Sequence, residues 1–136
     1  MKQIQACVLA MVMVLLLSAC DGRGDYYRHS LTQTVDSIKQ QDIAVQEMKK
    51  GLFYSEYAKE QAAYEVKDSQ NIIVIYTFDK RRGQQKDSGL IHNYYNEHYG
   101  SSAMSYHKEN IIVVFVKKDT QLFEVENRLS RAIGEL

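Results

Sequence analysis

The spacing of apolar residues changes along this chain, and each change marks an element. From Leu31 the apolar positions are Leu31, Val35, Ile38, Val45, Met48 and Leu52, with Lys39, Gln40, Glu47 and Lys50 on the other side. Spacings of three, four and seven predict an amphipathic helix with one buried face. Asp42 interrupts the stripe, Ile43 broadens it, and Gly51 is placed to end or bend the helix. The following Leu52–Gln61 reads as a further helical turn or two.

Two β-branched runs come next. Asn71-Ile72-Ile73-Val74-Ile75-Tyr76 matches Asn110-Ile111-Ile112-Val113-Val114-Phe115 almost position by position. Each follows a short alternating stretch and a polar turn, so 62–78 and 102–116 predict two β-hairpins. A helical pattern follows each hairpin. Leu90, Ile91, Tyr94, Tyr95 and His98 share one side of a helix starting at Asp87 or Ser88 and closed by Gly100; Leu122, Val125, Leu129, Ala132 and Ile133 form another, opened by Asp119 or Thr120. The expected fold is therefore α+β, a small antiparallel sheet of two hairpins packed by about three helices in the order α-ββ-α-ββ-α. The matching runs fit either an α-β-β unit used twice or two buried strands that converge on the same residues. Both runs are apolar at consecutive positions, which predicts strands covered on both faces. Helices confined to one side would leave an apolar face open for binding.

The first thirty residues read differently. Met1-Lys2-Gln3 precedes an apolar stretch whose uninterrupted part runs only from Ala6 to Leu17. A spanning helix needs roughly 20 apolar residues, so this is the h-region of a signal peptide. Directly behind it, Leu17-Ser18-Ala19-Cys20 resembles the lipobox of bacterial lipoproteins. That resemblance implies cleavage after Ala19 and acylation of Cys20, with palmitate-type chains holding the mature protein at the extracytoplasmic face of the cell membrane. Asp21 resembles an inner-membrane retention signal if the envelope is Gram-negative. Residues 1–19 are then the signal, 20–30 the acylated cysteine and a polar tether, and 31–136 a single domain. Arg23-Gly24-Asp25, the tripeptide of integrin ligands, falls inside that tether and reads as solvated spacer. Beyond the lipobox no domain family is recognised.

Composition narrows the chemistry. The chain has 136 residues, 17 basic and 17 acidic side chains and a formal charge of zero, which argues against nucleic-acid binding. Its two cysteines are Cys7, inside the signal, and Cys20. The mature chain thus keeps no thiol for an intramolecular disulfide, a thiolate metal site or a cysteine nucleophile. No Gly-x-Ser-x-Gly or phosphate-cradling glycine motif occurs, and Ser88 reads as a helix cap. His92 and His98 lie six apart on one predicted helix, off the i, i+4 spacing of a zinc helix; with His107 they form only a weak metal candidate. No cofactor and no enzymatic activity are expected.

What remains is contact chemistry. Asp79–Lys86 concentrates Lys80, Arg81, Arg82 and Lys86 in what reads as a loop, suited to anionic headgroups or an acidic partner, or simply to solvent. Ten tyrosines are an enrichment; Tyr94, Tyr95, Tyr99 and Tyr106 cluster around the second helix and its exit, with Tyr54, Tyr57 and Tyr64 before the first hairpin. Tyrosine suits an interface or the rim of a core. The reading is a lipid-anchored, extracytoplasmic, non-catalytic binding module of the bacterial envelope. Its partners are the membrane, through Cys20, and another envelope protein, through Tyr94, Tyr95, Tyr99, Arg81 and Arg82. The alternative is a small-ligand or metal-binding lipoprotein using His92, His98 and nearby tyrosines.

Overall fold

A computed structural model of the chain describes residues 26–49, 52–118 and 123–136. The expected signal segment, with Cys7, and the expected acylation site Cys20 lie outside the described residues. Helix α1 (Leu31–Gln40) opens on a capping box: the Ser30 hydroxyl accepts from the Gln33 N–H at 3.1 Å and the Gln33 amide oxygen accepts from the Ser30 N–H at 2.9 Å. It stops well short of Leu52. Asp42 takes a left-handed φ of 58°, after which the chain enters strand β1 (Val45–Met48). The three-residue spacing of Val45 and Met48 fits one helix face, but in a strand it puts the two residues on opposite faces. Accordingly Val45 joins one core cluster and Met48 the other.

Leu52–Ala58 is irregular and not helical, and it leads into β2 (Glu60–Val66). Strand β3 (Ile72–Thr77) follows. Helix α2 runs from Arg81 to Tyr99 and closes on Gly100, whose φ of 57° is one that side chains rarely adopt. The basic stretch expected as a loop is thus the first turns of α2, which starts before Asp87 or Ser88. A short 3-10 turn, Gly100–Ser102, precedes β4 (Ala103–Lys108), β5 (Ile111–Val116) and helix α3 (Phe123–Gly134). The expected opening of α3 at Asp119 or Thr120, with Leu122, lies outside the described residues.

The chain is α+β, with a five-stranded antiparallel sheet in the order β1-β2-β3-β5-β4. The two Ile/Val runs are its central strands. They pair from Ile72↔Val116 to Thr77↔Ile111, and every residue of both is buried. Both faces are covered. On one, Val35 and Ile38 of α1 and Leu129, Ala132 and Ile133 of α3 pack on Ile73, Ile75, Val113 and Phe115. On the other, Ile91 and Tyr95 of α2, with Leu52 and Phe53, pack on Val74, Tyr76, Ile112 and Val114. Fully burying one such side chain contributes about 1.5–3 kcal/mol, and the consecutive apolar runs supply about half of the buried apolar side chains.

The matched sequences occupy opposite faces. Ile72 points into the α2 cluster, whereas its counterpart Ile111 points into the α1/α3 cluster. The local two-fold of an antiparallel β3–β5 pair runs perpendicular to the sheet. A unit duplicated about that axis would place both following helices on one side. Here α2 and α3 lie on opposite sides, as converged buried strands allow.

Candidate functional site

The α2 layer differs in kind from the α1/α3 layer. Only Gly83, Gln84, Asp87, Ile91 and Tyr95 of α2 are buried, a sparse and largely polar set. The 52–58 segment fills what the helix leaves open. Its Phe53 ring packs on Tyr94 at 5.4 Å between centroids, and the Phe53 carbonyl accepts from the Tyr76 hydroxyl at 2.8 Å. The buried Ser55 donates its hydroxyl to the Asp87 carboxylate, which also accepts from the Tyr57 N–H at 3.2 Å. Ser55 Oγ in turn accepts from the Ala58 N–H at 3.0 Å. Gly83 lets the segment approach: a Cβ there would stand 3.0 Å from Tyr57 Cβ. Ser55 and Asp87 are a fastening, since both are buried and their hydrogen bonds tie the segment to the helix.

These anchors place the exposed rings. Phe53 is pinned at Tyr94 and Ser55 at Asp87, so Tyr54 lies alongside the turn of α2 between them, which carries Leu90. Tyr54 is 74% exposed, Leu90 54% and Tyr57 44%. Lys86 Nζ sits 4.9 Å from the Tyr57 ring centre. Below Leu90 the ridge continues as Tyr94 stacked on His98 at 4.1 Å, with His98 Nδ1 at 2.7 Å from the Tyr94 carbonyl.

Of the tyrosines singled out by sequence, Tyr94 is half-buried on this ridge. Tyr99 is half-buried and stacks on Tyr95 at 6.1 Å. Tyr95 is 2% exposed, a core residue whose hydroxyl pairs with that of Tyr76 at 2.9 Å; burial pushes its hydroxyl up to about 12. Its side chain therefore cannot form part of a surface contact. Arg81 and Arg82 are exposed at the start of α2, apart from the tyrosines, which sit toward its middle and end. The structure brings His92 and His107 near each other across α2 and β4. Partial burial and the neighbouring His92 hold His107 below the usual histidine range. His98 is committed to Tyr94 instead, and among the described residues no three His, Cys, Asp or Glu side chains converge as metal ligands.

Sequence reasoning singled out Tyr54 and Tyr57 as suited to an interface or a core rim, but it missed Leu90 beside them, because the 52–61 segment read as helix and Leu90 fitted the buried stripe. It also missed the strap formed by Tyr26–Ser30. Asn110, fully buried in the β4–β5 turn, accepts from the N–H groups of Arg28 at 3.1 Å and His29 at 2.8 Å, and donates to the His29 carbonyl at 2.8 Å. Glu60 accepts from the Tyr27 hydroxyl and from the Leu31 N–H at 3.0 Å. Tyr26 donates its hydroxyl to Gln84 of α2. Asn110 heads a strand in the sequence, as does Asn71, and that repeated position was the available signal.

One hollow of about 900 Å³ is broad and polar; Gln46, Glu65, Lys67, Asp68, Gln70 and Lys118 line most of it. It lacks the enclosed apolar walls of a small-molecule site. Among the described residues no helix is long and apolar enough to cross a membrane. Comparison with protein-family models, curated proteins and solved structures finds no match to this chain.

Proposed function

We propose that the chain is a lipid-anchored, extracytoplasmic binding module of the bacterial envelope that contacts another envelope protein and catalyses no reaction. The observation that carries this reading is the exposed ridge of Tyr54, Tyr57 and Leu90 on a segment and helix that are fastened to each other. Side chains held on a preformed surface lose little entropy on association, and tyrosine is enriched among the few residues that carry most interface energy. The lipobox supports the anchor, and a module tethered there meets its partners in the plane of the membrane.

The test is photocrosslinking in the membrane with the full chain, the photoreactive phenylalanine analogue replacing Tyr54. One discrete envelope protein is expected to be captured, with the adduct lost in Leu90→Gln. An adduct no stronger than that from a photoreactive residue at Gln70 would refute the reading. Separately, Cys20→Ser is expected to release the protein from membranes or block its maturation; unchanged fractionation and migration would remove the anchor.

A further inference from the structure

The strap fixes where the tether leaves the domain. Tyr26 sits at one end of the sheet, its hydroxyl on Gln84 and 3.3 Å from the Glu109 carbonyl of the β4–β5 turn. Arg28 pairs with Glu109 at 3.3 Å and His29 Nε2 lies 2.8 Å from the same carboxylate. That end also holds the start of α2, because Arg81 borders the same surface hollow as Tyr26 and Gln84. Six residue-to-residue steps, through the five residues 21–25, lead from Cys20 to Tyr26. At full extension they reach about 20 Å, roughly the height of the six-residue strands themselves. An acylated Cys20 thus holds this end within about 20 Å of the lipid surface, whereas the β2–β3 turn at the opposite end is tied to it only through the whole height of the sheet.

Charge is distributed to match. The chain is neutral overall. Yet this end gathers Arg28, Lys59, Lys80, Arg81 and Arg82 against Glu60, Asp79 and Glu109. Glu60 is occupied by Tyr27 and Leu31, and Glu109 by Arg28 and His29. Helix α2 has no acidic residue in its first turn, so its positive end adds to the exposed guanidinium groups of Arg81 and Arg82. We propose that this basic end of the domain docks on the anionic lipid headgroups of the membrane that holds Cys20, orienting the Tyr54–Leu90 ridge along the membrane flank. The inference rests on the lipid anchor proposed above.

Mature protein reconstituted into vesicles tests it. With Cys20 acylated and Cys7 removed, a thiol introduced by Gln85→Cys or Gln70→Cys is unique and takes one fluorophore. A nitroxide-headgroup lipid is expected to quench the label at 85, near the basic end, far more than that at 70. This should hold in phosphatidylcholine vesicles containing phosphatidylglycerol and not in phosphatidylcholine alone. One basic residue near an anionic surface is worth about 1 kcal/mol, roughly fivefold. Arg81→Gln with Arg82→Gln should therefore lower the ratio of docked to undocked protein roughly 25-fold, and high salt should act in the same direction. Equal quenching at 85 and 70 in acylated protein overturns the docking and leaves the anchor standing. So does quenching indifferent to phosphatidylglycerol. An N-terminal peptide whose mass shows no acyl chain removes the anchor, and the docking with it.

Discussion

The two faces of the sheet are covered by different means. On one, α1 and α3 bring aliphatic side chains onto Ile73, Ile75, Val113 and Phe115, forming a cluster with few polar members. On the other, a 19-residue helix buries only two large apolar side chains, Ile91 and Tyr95. The remaining cover comes from the 52–58 segment, held by Ser55, Asp87 and the Tyr76 hydroxyl. The first layer uses nondirectional burial and, among the described residues, leaves one large apolar side chain outside, Phe123 of α3 at 71% exposure. The second uses directional hydrogen bonds, which frees α2 to carry Leu90 outward beside Tyr54 and Tyr57. Helix-borne aliphatic burial is concentrated in one layer, and three of the four exposed large apolar side chains, Tyr54, Tyr57 and Leu90, lie in the other.

The largest effect should therefore come from the aliphatic layer. Ile73 is fully buried on it. Ile73→Ala is expected to cost about 3 kcal/mol, transfer plus cavity, and to lower the melting temperature by roughly 10 °C. A loss under about 1 kcal/mol in a denaturant titration would show that the two layers share the load evenly. Next comes Asp87→Ala. It strands the buried Ser55 hydroxyl and the Tyr57 N–H, which corresponds to about 2 kcal/mol. Unlike Ile73→Ala, it should raise amide exchange in 52–58 selectively. Uniform acceleration across the sheet would contradict the division between the layers.

How much of this was legible follows the same division. β-branched runs behind polar turns identify β3 and β5, because a strand buried on both faces has to be apolar at every position. That reasoning also anticipated a sheet covered on both faces. Elements held by polar contacts read less clearly. Val45 and Met48 satisfied a helical spacing over a window too short to separate the two periods, and the left-handed turn at Asp42 left only an acidic residue as its mark. The start of α2 carries cations where helices favour acids and has no side-chain cap, so the usual opening signal was absent. Tyr26–Ser30 read as tether because its partners, Glu60, Gln84, Glu109 and Asn110, are distant in sequence. A polar segment reveals its hydrogen-bond partners only once the fold brings them together.

A smaller effect separates the layers by pH. His107, where β4 meets α2, is held below the usual histidine range by partial burial and by His92. The unfolded chain therefore takes up its proton at a higher pH than the folded one. The stability linked to His107 is complete above about pH 6.5 and falls as pH drops from there toward the lower folded value. His107→Gln should flatten that part of the stability profile, and His92→Gln should reduce its slope. An unchanged profile in His107→Gln would assign the acid sensitivity elsewhere.

The smallest expected effect on folding is the one most specific to the comparison. Leu90 is more than half exposed in the middle of α2, and glutamine is close to leucine in helix propensity. Leu90→Gln should therefore change stability by no more than about 0.5 kcal/mol, since it breaks no buried contact. Its melting curve should overlay that of the wild type. If the α2 layer is the contact surface, the same substitution should abolish the Tyr54 photoadduct, separating binding from stability at a single position. A destabilisation near that of Asp87→Ala would instead show that Leu90 helps hold the 52–58 segment down. The exposed ridge would then belong to the cover of the sheet, and the difference between the two faces would be one of composition alone.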